Sequence, residues 1–465
     1  MASFWSMLLP LLAVGSYAKA ILSRDNLTAT VDVSSSNGSP QHLASGFIYG
    51  IPDNYPNQIP GSWYENIDFQ YARVGGAQLP QPAAGWIYGE TDYLGRLEST
   101  QLNYETAREY GAKVILLVHD IWGTDGANSS TVWPGDNGNW ANYDLYISTL
   151  LNDLYTRNML TDLVIDIWNE PDLTVFWNRP LQQWVDLFIR TFKAIRADSR
   201  FNSVQITGPS LANMPVSTNL WWTTFLSQIA SNHTIPDQWS YHLEGSYTNV
   251  EDDPQYTSSS LAALLKTYGL PTQVTNINEY ATYEEMVPAG YAWWIARLER
   301  YNFWGLLGNW QSGYTLHDLF ANLLTKTDDP FDYTATDYAA APGYWVYKYY
   351  TQNMTGERLV TTGSTDRLLD VYATKDSSTV RLLVGSRITE GTWEVEVTGL
   401  SSIGYGTSGT VTINTWGFGG DDPLTPQAAP TFENTVAHTF TDNTLTFPIY
   451  QTDTYHAWAF EFPVL

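Results

Sequence analysis

Cysteine is absent from the 465-residue chain. That excludes disulfides, thiolate nucleophiles and cysteine-ligated metals. Positive charge is scarce: 22 lysines and arginines stand against 48 aspartates and glutamates, a formal net charge of -26. Nucleic acid and anionic membrane surfaces are therefore poor partners, because both would be repelled. The seven histidines lack His-Glu-x-x-His or comparable ligand spacing, so no metal centre is expected. No glycine-rich phosphate loop follows a strand-like run, and no nucleotide cofactor is expected either. No apolar run, the short N-terminal stretch included, reaches the roughly 20 residues needed to cross a bilayer. Internal repeats, heptad arrays and low-complexity tracts are missing as well.

What is present is enough for a sizeable core. Hydrophobic residues make up 43% and charged residues only 15%, which separates the chain from disordered proteins, and its length favours two domains. Met7 to Val14 is a short apolar core followed by the small-x-small site Ala18-Lys19-Ala20, so residues 1–20 read as a signal peptide of a secreted, extracellular protein. Asn-x-Ser/Thr sequons begin at Asn26, Asn37, Asn128, Asn232 and Asn353, and N-glycans are expected at some of them. Pro40, directly after the Asn37 sequon, weakens that one.

From residue 44 to 343, short apolar runs alternate with amphipathic ones. Candidate strands are Ala44–Ile51, Tyr71–Gly75, Val114–His119, Leu163–Trp168, Val204–Gly208, Trp239–Leu243, Val274–Glu279 and Phe303–Trp310. Between them, Leu181–Ala197 puts Trp184, Leu187, Phe188, Phe192 and Ile195 on one helical face. Eight strands alternating with helices predict an α/β fold, a parallel (β/α)8 TIM barrel. From 344 to 465 the pattern becomes apolar–polar alternation broken by Gly, Ser, Asp and Asn clusters, which predicts an appended antiparallel β-sandwich. Leu27–Val33 has the same texture, so residues 21–43 are expected to give strands to that sandwich.

The chemistry is concentrated at two strand ends. Leu163 to Ile167 is a buried-strand pattern that opens into Trp168-Asn169-Glu170-Pro171, and Gln273-Val-Thr-Asn-Ile-Asn-Glu279 ends a second one. On one barrel rim these are strands four and seven, which face each other across the mouth. Two facing carboxylates are what glycosidic bond cleavage needs: one protonates the leaving oxygen, the other faces the anomeric carbon. Mutual repulsion would keep one of them protonated. Most of the 20 tryptophans and 31 tyrosines belong to the core, and a minority at the cleft would stack on sugar faces.

The run Leu163 to Trp177, with its Asn169-Glu170-Pro171-Asp172-Leu173 and Phe176-Trp177, resembles the acid/base region of the clan A glycoside hydrolases. It is most similar to glycoside hydrolase family 39, in its fungal-type members. The resemblance implies Glu170 as general acid/base, Asn169 on the sugar 2-hydroxyl and Glu279 as nucleophile, although that family more often has Thr-Glu-Trp where Asn278-Glu279-Tyr280 stands. It implies Arg73, in Tyr-Ala-Arg-Val-Gly-Gly, as the arginine that keeps the nucleophile ionised and oriented, and Trp310 as the aromatic floor after strand eight. His119 and His242 end strands three and six and are candidate substrate-binding residues. The clan often has His-x-Tyr on strand six. Here the third position is Glu244, which leaves Tyr241 or Tyr247 to replace the tyrosine and brings a third carboxylate near the site. Glu244 either accepts from sugar hydroxyls or pairs with Arg73.

The resulting expectation is a secreted, retaining, exo-acting glycoside hydrolase that needs no cofactor. It would release pentose units, arabinose- or xylose-type, from oligosaccharides or polysaccharides of plant cell walls. A β-xylosidase proper or a uronidase of the same family are the enzymatic alternatives, the latter disfavoured by the acidic composition. From another class, the alternative is a non-catalytic carbohydrate-binding protein on a hydrolase scaffold.

Overall fold

The computed structural model describes residues 27–53, 58–77, 83–249, 251–308 and 318–465. The expected signal peptide, the Asn26 sequon and Trp310 lie outside the described residues. Strand β1 (Thr28–Ser36) precedes the barrel strands β2 (Gly46–Ile48), β3 (Tyr71–Val74), β4 (Lys113–Leu117), β5 (Leu163–Asp166), β6 (Gln205–Leu211), β7 (Gln238–Leu243), β8 (Val274–Tyr280) and β9 (Phe303–Leu307). Each pairs in parallel with the next, and Gly46 opposite Leu306 closes the barrel. The strands are apolar runs rather than alternating ones because both faces are covered, outside by helices and inside by the barrel's own filling.

The helices follow from amphipathic periodicity. In Leu181–Ala197, Trp184, Leu187, Phe188, Phe192 and Ile195 are all buried, each contributing about 1.5–3 kcal/mol by leaving water. Inside the barrel, Tyr71, Ile115, Val164 and Leu306 form a small apolar layer of their own. Above it the filling turns polar: Arg73, Asp166, Ser210, Ser240, His242 and Asn278 are at most 1% exposed. Buried polar groups at this density must satisfy one another, so this layer is where the barrel is built for chemistry rather than for stability.

After a short hairpin of β10 (Leu324–Lys326) and β11 (Tyr338–Ala340), the helix Pro342–Gln352 runs across the expected domain boundary at residue 344. Its Tyr347 packs on Phe47 and Tyr291 and shares a hydrogen bond with Tyr280, so this helix belongs with the barrel. The strands β12 (Glu357–Thr362), β13 (Leu369–Lys375), β14 (Thr379–Ser386), β15 (Gly391–Thr398), β16 (Gly409–Phe418), β17 (Thr431–Phe440), β18 (Thr444–Gln451) and β19 (Ala457–Pro463) then form the second unit. Its sheet has the order β17-β16-β19-β14-β13-β12-β1-β15-β18 and is antiparallel except where β1 runs parallel to β15. The sandwich is thus built from both ends of the chain. It has a separate apolar core that includes Val31, Leu382, Trp393 and Phe460.

The barrel and sandwich meet along the helix Pro288–Tyr301, buried nearly throughout. Gly385 on β14 lets the backbones approach: a Cβ there would meet the Ala289 carbonyl at 2.3 Å. No described helix is long and apolar enough to cross a membrane.

Candidate active site

The C-terminal ends of β2 to β8 open onto a cavity of about 420 Å³ bordered by Ile48, Tyr49, His119, Asp120, Asp125, Asn169, Glu170, Phe176, Glu244 and Glu279. Its size is that of a small-ligand pocket. A larger hollow of about 630 Å³, bordered by Thr272, Gln273 and Trp304 at the strands' opposite end, is lined by no carboxylate.

Glu170 sits one turn beyond β5 with φ of +42°, the left-handed region that a non-glycine residue enters at a cost of about 1–3 kcal/mol. Its surroundings hold it there. The Glu170 N–H donates to the Ser210 carbonyl at 2.9 Å. Two residues on, the Asp172 carboxylate accepts from the backbone N–H groups of Ala212 and Asn213 at 3.0 and 3.1 Å. On the other side, Trp168 is locked among Trp122, Trp133 and Trp177, and its indole donates to the Phe176 carbonyl at 3.0 Å. The apolar and acidic residues around the Asn-Glu-Pro string thus fix one side chain in one place.

Glu279 reaches the cavity through a break in strand register. Across β7 and β8, Tyr241 faces Ile277 while the adjacent His242 faces Glu279, so Asn278 is an extra residue. A regular strand would send Asn278 and Glu279 to opposite faces; the bulge turns both inward. Arg73, fully buried on β3, joins the two halves of the site. Its guanidinium donates to Glu279, to Asn169 at 2.5 Å, and to Asp166 through two nitrogens at 2.9 and 3.2 Å. Asp166 also accepts from Ser210 at 2.9 Å and Asn278 at 3.0 Å. Burial alone would depress the Arg73 guanidinium, but the charges of Asp166 and Glu279 hold it above its ordinary value.

His242 bridges the glutamates. Its Nδ1 shares a 2.8 Å hydrogen bond with Glu170, and its Nε2 lies 3.8 Å from Glu279. Burial is the main force that lowers its pKa to about 4, so the ring is neutral near pH 7. His119 is likewise held well below its usual value, first by burial and then by the charges of Arg73 and Arg96. Burial, with Asp172 adding to it, pushes Glu170 up to about 7 against the opposing pull of Arg73. Near neutrality the Glu170 carboxyl therefore keeps its proton in a large share of molecules, while Glu279 is bonded to a guanidinium. One acid and one oriented carboxylate face the same cavity.

Each of Glu170, His242, Glu244 and Glu279 presents an atom within 4.8 Å of the others. These four side chains could surround a divalent cation, but the Arg73 guanidinium on Glu279 and the proton on Glu170 oppose that occupancy.

The structure brings Arg73, His119, Asn169, Glu170, His242, Glu244 and Glu279 together. It corrects one reading on strand six: Tyr241 does not take the tyrosine's place. The alternation that turns His242 inward turns Tyr241 outward, against Trp222 with ring centroids 5.9 Å apart. Asp166 and Asn278, the cradle beneath Arg73, are functional candidates that the sequence reading missed. A lone acid inside the apolar run Leu-Val-Ile-Asp-Ile was the available signal, since a buried charge needs a partner. Asp120 was missed too. It lines the cavity beside His119, whose Nε2 lies 2.8 Å from its carboxylate, and burial with the charges of Asp125 and Glu279 raises it well above the usual carboxylate range.

No family model matches the sequence, and no curated protein matches it either. Solved structures do match along nearly the whole chain. A protein of Neocallimastix frontalis is 20% identical, with 94% of this chain and 99% of that one covered and a TM-score of 0.71. A glycoside hydrolase family 39 enzyme from Xanthomonas axonopodis pv. citri is 13% identical over 98% and 100% of the two chains, with a TM-score of 0.56. A family 30 subfamily 8 xylanase from Clostridium acetobutylicum is 15% identical over 94% and 99%, with a TM-score of 0.55. At these identities the likeness establishes a shared fold, the TIM barrel with its β-sandwich.

Proposed function

We propose that the chain is a secreted glycoside hydrolase of the family 39 type that works by double displacement and releases pentose units from plant cell-wall glycans. One observation carries the reading. Across a single cavity, a glutamate raised to about 7 faces a second glutamate that is ion-paired with a buried arginine, their nearest oxygens within 4.8 Å. Retaining enzymes hold their carboxyl groups about 5–5.5 Å apart, whereas inverting ones leave about 6.5–9.5 Å for a water, and oxygens that approach this closely fit the retaining arrangement. Glu279 would attack the anomeric carbon while Glu170 protonates the leaving oxygen. Glu170, then ionised, would take a proton from water as that water cleaves the glycosyl-enzyme. Asn169 and Glu244 would bind sugar hydroxyls, and His119 and His242 would frame the ring. Solved glycoside hydrolases of families 39 and 30 that share the fold support the class. The four described sequon asparagines, Asn37, Asn128, Asn232 and Asn353, are exposed, in keeping with a glycosylated secreted protein.

The cavity's charge argues for neutral sugars. Asp125, Glu244 and Glu279 line it, and the Arg73 guanidinium beneath is committed to Asp166, Asn169 and Glu279. A uronate would meet acidic walls with no free cation in reach among the described residues. Arabinoxylan, arabinan and gum arabic are therefore expected to yield a neutral pentose or short arabinose product, resolved by chromatography. A glucuronide of equal leaving group should react at least tenfold more slowly. Faster release of the uronic acid would reject this pocket assignment. Glycan binding with no product from any substrate would instead favour a carbohydrate-binding protein.

The pH dependence follows from Glu170. Its acid form is lost as pH rises through about 7, so kcat/KM should fall on the alkaline side with a midpoint near that pH. Glu170→Gln should remove that limb and lower kcat/KM by about 10²–10⁴ on substrates with poor leaving groups. The loss should be much smaller on nitrophenyl glycosides, whose leaving group needs no proton. Equal losses on both substrates would contradict the acid role.

A further inference from the structure

Behind the rim, one arginine of the β-sandwich reaches two of the loops that carry the site. Arg387 follows β14 and is 3% exposed, with its guanidinium over the Trp293 ring at 4.6 Å from the centroid. Its Nε donates to Glu285 at 2.8 Å, and its Nη1 donates to the Asn249 carbonyl at 3.3 Å. Both contacts lie in segments that leave the cavity wall. Glu285 is fully buried, and its second oxygen accepts from the Thr282 N–H at 2.9 Å, three residues beyond Glu279. The Glu285 N–H in turn donates to the Thr282 carbonyl at 3.0 Å, so Glu285 sets how the chain turns as it leaves β8. That turn includes Ala281 at φ of +72°, a conformation needing support from outside the strand. The Asn249 carbonyl belongs to the loop after Glu244, and it also accepts from the Asp252 N–H at 3.0 Å. The Asp252 carboxylate in turn accepts from the Ser246 N–H at 2.9 Å, two residues from Glu244.

We infer that Arg387 is a positioning residue of the active site: the β-sandwich uses it to hold the Glu279 turn and the Glu244 loop in register. This rests on the glycosidase reading above. The two contacts act on different quantities. The link through Glu285 sets where Glu279 stands relative to the anomeric carbon, and a misplacement of about 1 Å there costs on the order of a hundredfold in rate. The link to Asn249 sets the wall that carries Glu244, which acts on substrate affinity. Arginine is needed because its planar fork serves both partners at once, whereas a lysine ammonium at that place would serve one. A second arginine at the same interface provides the control. Arg300 donates to Asp370 and to the Thr361 carbonyl, both on the sandwich, and lies on the opposite end of the helix from the rim.

The test is steady-state kinetics on a nitrophenyl pentoside with wild type, Arg387→Met, Arg387→Lys and Arg300→Met, each assayed well below its own Tm. Arg387→Met should lower kcat tenfold or more and raise KM. Arg387→Lys, which keeps the charge for Glu285, should recover most of kcat and leave KM raised. Arg300→Met should lose Tm while keeping both constants. If Arg387→Met does not fold, the raised KM of Arg387→Lys carries the test. Unchanged kcat and KM in the Arg387 variants, or losses no larger than those of Arg300→Met, would overturn the inference. A wild type with no glycosidase activity would instead overturn the reading on which it rests.

Discussion

Glu279→Gln should abolish turnover, lowering kcat by roughly 10⁵–10⁶ while leaving the protein folded. The estimate comes from the usual loss when the nucleophile of a covalent mechanism is removed. An amide cannot form the glycosyl ester, and no other described carboxylate shares the Arg73 guanidinium from the β8 bulge. The substitution keeps the side chain's size, and Arg73 keeps Asp166 as its charge partner, so the fold should survive. Glu279→Ala should go further in one respect. The space it leaves admits a small anion, and azide should restore turnover by attacking the same face, giving a glycosyl azide of inverted anomeric configuration. Retention of more than about a hundredth of wild-type kcat by purified Glu279→Gln would remove Glu279 from the nucleophile role.

Arg73→Met has the second largest effect, and it acts on stability and rate together. The side chain is 0% exposed, and it neutralises Glu279 and Asp166, which are 7% and 1% exposed. Removing one partner of a buried ion pair typically costs about 3–5 kcal/mol, because the charge left behind has neither water nor a counterion. Here two carboxylates are stranded, and Asn169 loses the donor that fixes its amide. A large drop in Tm is therefore expected, along with a fall of at least a hundredfold in kcat for whatever fraction folds. Arg73→Lys should rescue little, since one ammonium cannot meet three acceptors at Arg73's spacing. Thermal melts and kinetics on the two variants check this. A methionine variant with wild-type Tm would mean that the pairing contributes nothing to the fold.

Much of this was legible in the sequence, and the gaps have physical causes. Each of the eight barrel strands overlaps one of the apolar runs read from the sequence, although β4, β6, β7 and β8 reach one to three residues beyond theirs, because parallel strands buried on both faces leave an apolar pattern that does not mark its own ends. Glu170 was legible because the string around it leaves a buried strand for a loop. The bulge at Asn278 was not, since period-2 alternation carries no mark of an inserted residue. Strand β18 is hard to read although its residues alternate, because Pro448 sits within it. A proline argues against an interior strand, but β18 is an edge of its sheet, where the missing N–H costs no ladder bond. The helix Pro342–Gln352 was hidden by its composition: its tyrosines, Tyr344, Tyr347, Tyr349 and Tyr350, read equally well as strand. The links made by Arg387 depend on contacts between segments over a hundred residues apart, which no local pattern records.

The most direct test of two-glutamate double displacement is the anomeric configuration of the first-formed product, followed by proton NMR during the first minutes of hydrolysis of the preferred glycoside. Retention, with the sugar released in the substrate's own configuration before it mutarotates, is the outcome the Glu170–Glu279 spacing predicts. Release of the opposite anomer first would mean that a water, not Glu279, attacks the sugar, and would contradict the account at its centre.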